Sequence, residues 1–475
     1  MKPIFTLIVF CIVISSSGRA QSIPVPFQKL EPQRPFLFQD KAGDRLVWLF
    51  YPERSRASRN YPCNAVETDT LAREIRRTGP AGYVEEREEM VNETPFRQVC
   101  SHASGGHFYG VVVNGHYYQC LKVNGADLSV NSRQLVKLSD KQRYLTAVTL
   151  GDKSVLMTTE KRRKEADALH IYVFEGDSVA RHQVFDLDQT SSVLADKGFN
   201  PVVAQDLLEL SPNRAAANRR VFVEGQRIQI TEDVQPGYST EGYVSIFTVD
   251  IAAMTFTSNQ VPYGLERKSA EDRAKTASCI FEEKLFQVYA HEEFLQVTVR
   301  DMDTYKVLWQ KSFPKDAPLD FLNTPVTTPS AWQGDKAVTK TSKLCKLLSW
   351  ADPFIFVRHT ADGYLIHLGG YRLEEGEAVA VGALFGLVGA AILTASGWTG
   401  EKMVSTYMLL DDRDFSRKDK FYPQTLLQRC GDRMSELRIQ DKDRAQGLFQ
   451  MGQNFYLGRF IRKDRVYELS NIGGL

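Results

Sequence analysis

Leu169-His-Ile-Tyr-Val-Phe-Glu175, then Gly176-Asp-Ser178, then residues 179–187 form the stretch that decides the fold. A β-branched and aromatic run meets a glycine turn and returns as a second extended run, which is how an antiparallel hairpin reads. The pattern recurs twice downstream. Residues 243–250 pass through Ile251-Ala-Ala-Met254 into 255–261, and residues 294–300 pass through Asp301-Met-Asp-Thr304 into 305–313.

Further strands precede each hairpin, at 144–151 and 154–159, at 220–224 and 226–231, and at 277–281 and 285–291. Four antiparallel strands, repeated, predict a mainly β, propeller-like fold with one blade per unit. Weaker units lie at 107–138, at 354–373 with a continuation at 404–411, and at 454–469. The last is expected to pair with residues 45–51, closing a ring that leaves no strand edge open. Stacked antiparallel β-sandwich domains would show the same alternation and are the alternative architecture.

On this reading the chain divides into 1–20, 21–100 and 101–475. Lys2, the apolar run 4–14 and Gly18-Arg19-Ala20 predict a signal peptide ending before Gln21. The protein is then exported, to a periplasm, an outer envelope or the medium. Residues 21–100 read as an N-terminal segment carrying one helix over 64–77, opened by the capping box Asn64-Ala-Val-Glu67 and stopped by Gly79-Pro80. Residues 101–475 read as the propeller-like domain, interrupted at 378–400. Further helices are expected at 200–210 and 423–437.

The 475 residues carry 59 Lys and Arg against 58 Asp and Glu, a net charge of +1. No global field draws nucleic acid, and none is expected as a partner. The basic run within 160–167 has acids at both ends and reads as a solvated loop. Beyond Cys11 in the leader, Cys63, Cys100, Cys120, Cys279, Cys345 and Cys430 remain. Export permits disulfides, and Cys100 and Cys120, flanking a hairpin, are the candidate pair. Others read as small buried hydrophobes.

His102-Ala-Ser-Gly-Gly-His107 with His116 comes nearest to a metal constellation, His107 and His116 facing each other across a hairpin that turns at Asn114-Gly115. No third and fourth ligand stands at a telling spacing, so the histidines read as strand-end residues, and no metal or cofactor is expected. Asp186-Leu-Asp188-Gln-Thr190 opens like a calcium loop, but Ser191 and Lys197 stand where glycine and a bidentate glutamate are needed. Asp411, Asp412 and Asp414, beside Arg413, Arg417 and Lys418, read as a solvated turn. The nucleophile elbow, the phosphate-binding loop, the zincin helix and the dinucleotide fingerprint are all missing from the sequence. That weakens the case for an enzyme, although a triad assembled from distant residues would leave no such mark.

The 23 uncharged residues 378–400, AVAVGALFGLVGAAILTASGWTG, stand apart from the strands. Small residues recur every fourth position at Ala378, Gly382, Gly386, Ala390 and Thr394, which on a helix makes one smooth face. As a helix the stretch would rise about 35 Å, against a hydrocarbon core of about 30 Å. Only eight of its residues are Val, Leu, Ile or Phe and five are Gly, a marginal composition for insertion. Three readings stay open: an apolar hairpin or helix that docks on a partner or membrane surface, a single transmembrane helix, and a buried insert covering the sheet. The glycine spacing resembles glycine-zipper helices of bacterial envelope proteins, over roughly these twenty residues. Ala378, Gly382, Leu384, Phe385, Gly386, Val388, Ala390, Ile392 and Leu393 are the expected contact residues.

The functional expectation is an exported, non-enzymatic binding or scaffold protein of the cell envelope, meeting a protein partner or a membrane through 378–400. The alternative is a hydrolase or lyase with a pocket on the propeller face and a site built on His102, His107 and His116.

Overall fold

Strand Ala168–Glu175 has seven consecutive buried residues, so it needs apolar cover on both faces of its sheet. An open sheet facing water cannot supply that, but a ring of sheets packed face to face can. The computed structural model describes residues 21–24, 35–39, 45–50, 60–68, 75–78, 80, 82–85, 97–204, 216–237, 240–267, 269, 272–328, 336–372, 402–429, 432, 447–451, 454–461 and 463–474. Among them are seven sheets of four or five strands, each a blade.

Blade one holds Phe36–Gln39, Leu46–Phe50, Asn60–Thr68 and Ile75–Thr78. Blade two holds Arg97–Ser104, His107–Asn114, Tyr117–Asn124 and Val130–Lys137. Blade three holds Gln142–Leu150, Lys153–Glu160, Ala168–Glu175 and Ser178–Asp186. Blade four adds the short Val202–Val203 to Arg219–Glu224, Arg227–Val234, Glu241–Asp250 and Thr255–Glu266. Blade five holds Ala274–Phe281, Lys284–His291, Phe294–Asp301 and Val307–Pro314. Blade six joins Asp352–Thr360, Gly363–Arg372 and Lys402–Leu410 to Val326–Thr328 and Lys336–Val338. Blade seven combines Gly447–Met451, Asn454–Ile461 and Val466–Gly474 with the N-terminal Gln21–Pro24.

Successive blades touch through their inner strands from blade one to blade six. Arg358 of blade six lies 5.1 Å from the Phe455 ring centroid of blade seven, and Trp48 of blade one lies 5.2 Å from that of Phe449. The ring therefore closes. Burial changes strand by strand: middle strands are buried on both faces, while the outermost Ser178–Asp186 and Val307–Pro314 are mostly exposed. A two-layer sandwich would instead alternate residue by residue in every strand. The fold is mainly β and propeller-like.

Several expectations are corrected. Where described, at 64–68 and 75–77, the expected helix over 64–77 is strand: Asn60–Thr68 pairs with Leu46–Phe50, Trp48 opposite Val66. The local capping pattern loses to burial, since Ala65, Val66 and Thr68 fill the sheet and the Trp48 indole N–H donates to Thr68 Oγ1 at 3.1 Å. Within 21–100, residues 36–78 thus supply blade one, while Gln21–Pro24 joins blade seven and Arg97–Ser104 begins blade two. Ring closure is made by Gln21–Pro24 against Val466 to Leu469, not by 45–51. The 45–51 stretch contributes Trp48 and Phe50 to the packing beneath that closure.

Cys100 and Cys120 do not pair. Val111 lies between them in register, opposite both. Two strand spacings are about 10 Å, beyond the roughly 7 Å a disulfide spans between Cα atoms. Cys63, Cys100, Cys120, Cys279 and Cys345 are free and buried. Burial pushes the first four thiols up to about 12 and Cys345 to about 11, so they pack as apolar groups. Within 200–210 the described residues include a strand pair at Val202–Val203, and within 423–437 a helical turn at 426–429. A helix unforeseen in the sequence, α1 (Thr341–Trp350), buries Leu344, Cys345 and Leu348 against blade five. The expected leader 1–20, Cys430 and the stretch 378–400 lie outside the described residues.

Candidate functional site: a basic cleft where three blades meet

The innermost strand of a blade has one edge with no strand beside it, and its N–H and C=O groups must find other partners. In blade five that edge belongs to Thr276 and Ser278, and side chains of blade four satisfy it. The Gln235 amide accepts from Thr276 N at 2.8 Å and donates to Thr276 O at 3.1 Å. Asp233 Oδ2 accepts from Ser278 N at 3.1 Å, and Asp233 Oδ1 accepts from the Tyr263 hydroxyl at 2.7 Å. Burial, with the Asp233 carboxylate alongside, holds the Tyr263 hydroxyl well above its ordinary range, so it stays a donor.

Arg220 completes the junction. Its side chain is wholly buried, an unusual state for a guanidinium. Nε donates to Ala217 O at 2.9 Å, and Nη1 donates to Ser278 O at 2.7 Å and Ile355 O at 3.2 Å. One cation therefore ties the inner strands of blades four, five and six. Phe356 lies beside it, the guanidinium carbon 5.6 Å from the ring centroid.

Two adjoining hollows open at this junction. The inner one, about 250 Å³, is lined by Arg220, Asp233, Asn218, Gln235, Lys275 and Asp352 among others. The outer one, about 470 Å³, shares Lys275 and Asp352 and adds Arg267, Asp272, Arg273, Trp350 and Arg372. Four basic side chains face two acids there, which makes the outer cleft locally positive in a chain that is nearly neutral. Trp350, at the C-terminal end of α1, forms its floor. The Arg273 guanidinium carbon sits 3.1 Å from that ring centroid and Arg372 5.2 Å away, while the indole N–H donates to Glu292 at 3.0 Å. Lys275 pairs with Asp352 at 2.9 Å. Among the described residues neither histidine nor cysteine lines either hollow. Such a lining is suited to recognising charge.

Arg372 also marks the root of the apolar stretch. It is the antiparallel partner of Lys402, so the chain leaves blade six at 373 and re-enters it directly opposite. Paired residues lie about 5 Å apart, whereas a single crossing would separate them by a hydrocarbon core of about 30 Å. The described ends, Arg372 and Lys402, therefore lie side by side, and residues 373–401 between them are outside the described residues. Among the described residues no helix is long and apolar enough to cross a membrane.

The structure separates the three histidines. His107 and His116 sit near opposite ends of the strand His107–Asn114, about 24 Å apart along it, not face to face. His116 is exposed at the turn. His102 is buried, stacked on Tyr109 at 4.9 Å, with Nδ1 2.8 Å from Ser154 Oγ of blade three. Among the described residues no three His, Cys, Asp or Glu side chains stand close enough to share an ion. Asp188 opens a short 3-10 helix, Ser191–Ala195, by accepting from Ser191 N and Oγ at 2.7 and 2.6 Å, bonds that lower its pKa. Asp411 pairs with Lys418 at 2.8 Å, which with the Arg413 N–H brings its carboxyl down to about 2.

Burial of His102 lowers its pKa from 6.5 to about 4. The unfolded chain then binds a proton that the folded chain refuses, so this term destabilises the fold as pH falls from about 6.5 to about 4 and levels off below. The difference is on the order of 3 kcal/mol. Urea unfolding at pH 7 and pH 4.5 tests it: His102→Phe is expected to start less stable but to lose less on acidification. Equal acid loss in both proteins would remove His102 as the cause.

Arg220, Asp233, Gln235 and Trp350 were not singled out by sequence reasoning, because no motif joins residues drawn from three blades. A faint signal existed. Arg220 stands in phase with Phe222 on an apolar strand, where an outward charge is not expected.

No protein-family model matches the chain, and no curated protein sequence does. Among solved structures, a subtype N11 neuraminidase-like protein of A/flat-faced bat/Peru/033/2010 (H18N11) is similar at 7% identity and TM-score 0.31, covering 85% of this chain and 93% of its own. Hydrazine synthase of Kuenenia stuttgartiensis is similar at 9% identity and TM-score 0.34, covering 94% and 98%. A subtype N10 neuraminidase-like protein of A/little yellow-shouldered bat/Guatemala/060/2010 shows 8% identity and TM-score 0.29, covering 81% and 98%. Likenesses of this depth carry neither site residues nor an activity to this chain.

Proposed function

We propose that this is an exported, non-enzymatic binding protein that docks on an anionic membrane surface through residues 378–400 and the basic rim beside them. The observation that carries the reading is the register of Arg372 opposite Lys402, which roots both ends of the uncharged stretch at the rim of the cleft. An apolar segment and a cluster of fixed cations at one place are the two signals that surface attachment takes. Arg273 and Arg372 at the rim suit lipid phosphates, and the stretch supplies the apolar part. Export rests on Lys2, the apolar run 4–14 and Gly18-Arg19-Ala20. A His-based hydrolase or lyase draws no support from a buried His102 and an exposed His116.

Vesicle flotation of the mature chain tests the proposal. Binding to phosphatidylglycerol-containing vesicles is expected to exceed binding to phosphatidylcholine vesicles at least tenfold, and to fall at high salt. Replacing 378–400 by a short Gly-Ser linker is expected to abolish it. Equal flotation of the shortened protein, or none by the intact one, sinks the membrane reading; in the second case a protein partner takes its place.

A further inference from the structure

We infer that the inner cavity of about 250 Å³ is a binding site for a small zwitterion, a molecule of amino-acid size with one carboxylate and one ammonium group. Four observations lead there.

The first is an unsatisfied donor. Arg220 is wholly buried and spends Nε and Nη1 on three carbonyl oxygens, while Nη2 has no hydrogen-bond partner among the described residues. A buried charged donor left without an acceptor is costly, and such groups usually mark a missing partner. Asp233 is not that partner: its oxygens accept from the Tyr263 hydroxyl and Ser278 N, and no hydrogen bond joins it to Nη2. A ligand carboxylate supplies the acceptor that guanidinium nitrogens bind best.

The second is charge balance. Arg220 and Lys275 line the cavity together with Asp233 and Asp352, two cations against two acids. A bare anion would leave the lining and its ligand with a net negative charge in a confined space. A ligand that also carries an ammonium group keeps the total at zero.

The third is the order of these groups. Arg220 and Asp233 are wholly or almost wholly buried, whereas the Lys275–Asp352 pair is partly exposed, with 34% and 63% of the side chains accessible. The carboxylate goes to the deep end at Arg220, and the ammonium meets Asp352 at the mouth. The fourth is size, since the cavity falls just below the range of about 300–1,000 Å³ that drug-sized ligands fill.

The test is a panel of the twenty amino acids, each at millimolar concentration, against the purified mature chain, read by thermal shift and by saturation-transfer NMR. Acetate, methylamine and inorganic phosphate serve as fragments. At least one amino acid is expected to bind, and each fragment at least tenfold more weakly. Arg220→Lys is expected to weaken that binding at least tenfold. Asp352→Asn, at an exposed position that leaves the core intact, is expected to do the same, and it carries the test if the Arg220 variant does not fold. Binding by no amino acid, binding of acetate or phosphate as tight as the zwitterion's, or an Asp352→Asn variant with unchanged affinity would each overturn the inference.

Discussion

Replacing Arg220 by methionine is expected to lower the unfolding free energy by about 3–5 kcal/mol, the cost of breaking a buried, charge-assisted network from one side. Methionine keeps the length and apolar bulk of the stem but cannot donate to Ala217 O, Ser278 O and Ile355 O. Asp233 would then be a buried carboxylate without the guanidinium that lines the same cavity. The double variant Arg220→Met with Asp233→Asn is expected to recover part of the loss, because it removes the unbalanced charge. Urea unfolding of the two variants beside the unaltered protein at pH 7 checks both statements. A single-variant loss below about 1 kcal/mol would mean that the three inner strands hold together without the guanidinium.

The second large effect is expected at the ring closure. Trp48 is wholly buried, donates to Thr68, and packs its ring 5.2 Å from Phe449 and 6.4 Å from Tyr467. Trp48→Ala should cost about 3–5 kcal/mol through lost burial and the cavity left behind. Its consequence differs from that of a cavity elsewhere, because blade seven draws one strand, Gln21–Pro24, from the other end of the chain. Loosening this packing should expose 447–474 to protease before the other blades. Trp48→Phe, which keeps an aromatic ring against Phe449, should retain most of the stability. Uniform proteolysis of Trp48→Ala across all blades would show that closure is not the weak point.

Middle strands were legible to within a residue or two. Residues 169–175 and 285–291 were read where Ala168–Glu175 and Lys284–His291 lie, because a strand buried on both faces must be apolar almost throughout. Of blade one only the strand Leu46–Phe50 was legible, within the expected 45–51. Asn64-Ala-Val-Glu67 carries a helix-opening pattern, and nothing nearby tells that Leu46–Phe50 stands ready to pair with it. The disulfide expectation failed for a related reason: spacing along the chain placed Cys100 and Cys120 at a hairpin, but the sheet put a whole strand between them.

The candidate site was the least legible part. Arg220 reaches carbonyls 58 and 135 positions away, distances at which no spacing rule operates. Its partners are backbone oxygens, which every residue carries, so the identities of residues 278 and 355 contain no trace of the bond. Trp350 likewise takes its meaning from Arg273, just before the strand Ala274–Phe281, and Arg372, the last residue of Gly363–Arg372.

By itself, then, the sequence determined that the chain is built from repeated antiparallel strands and that an uncharged stretch interrupts one unit. Each of these is written in the order of neighbouring residues, where hydrophobic period and turn chemistry act. Only the tertiary structure decided which strand closes the ring, that Cys100 and Cys120 stay apart, that the uncharged stretch leaves and returns at one point, and that one guanidinium ties three blades. Those outcomes depend on which blade edges meet, and that is settled by packing the whole ring at once.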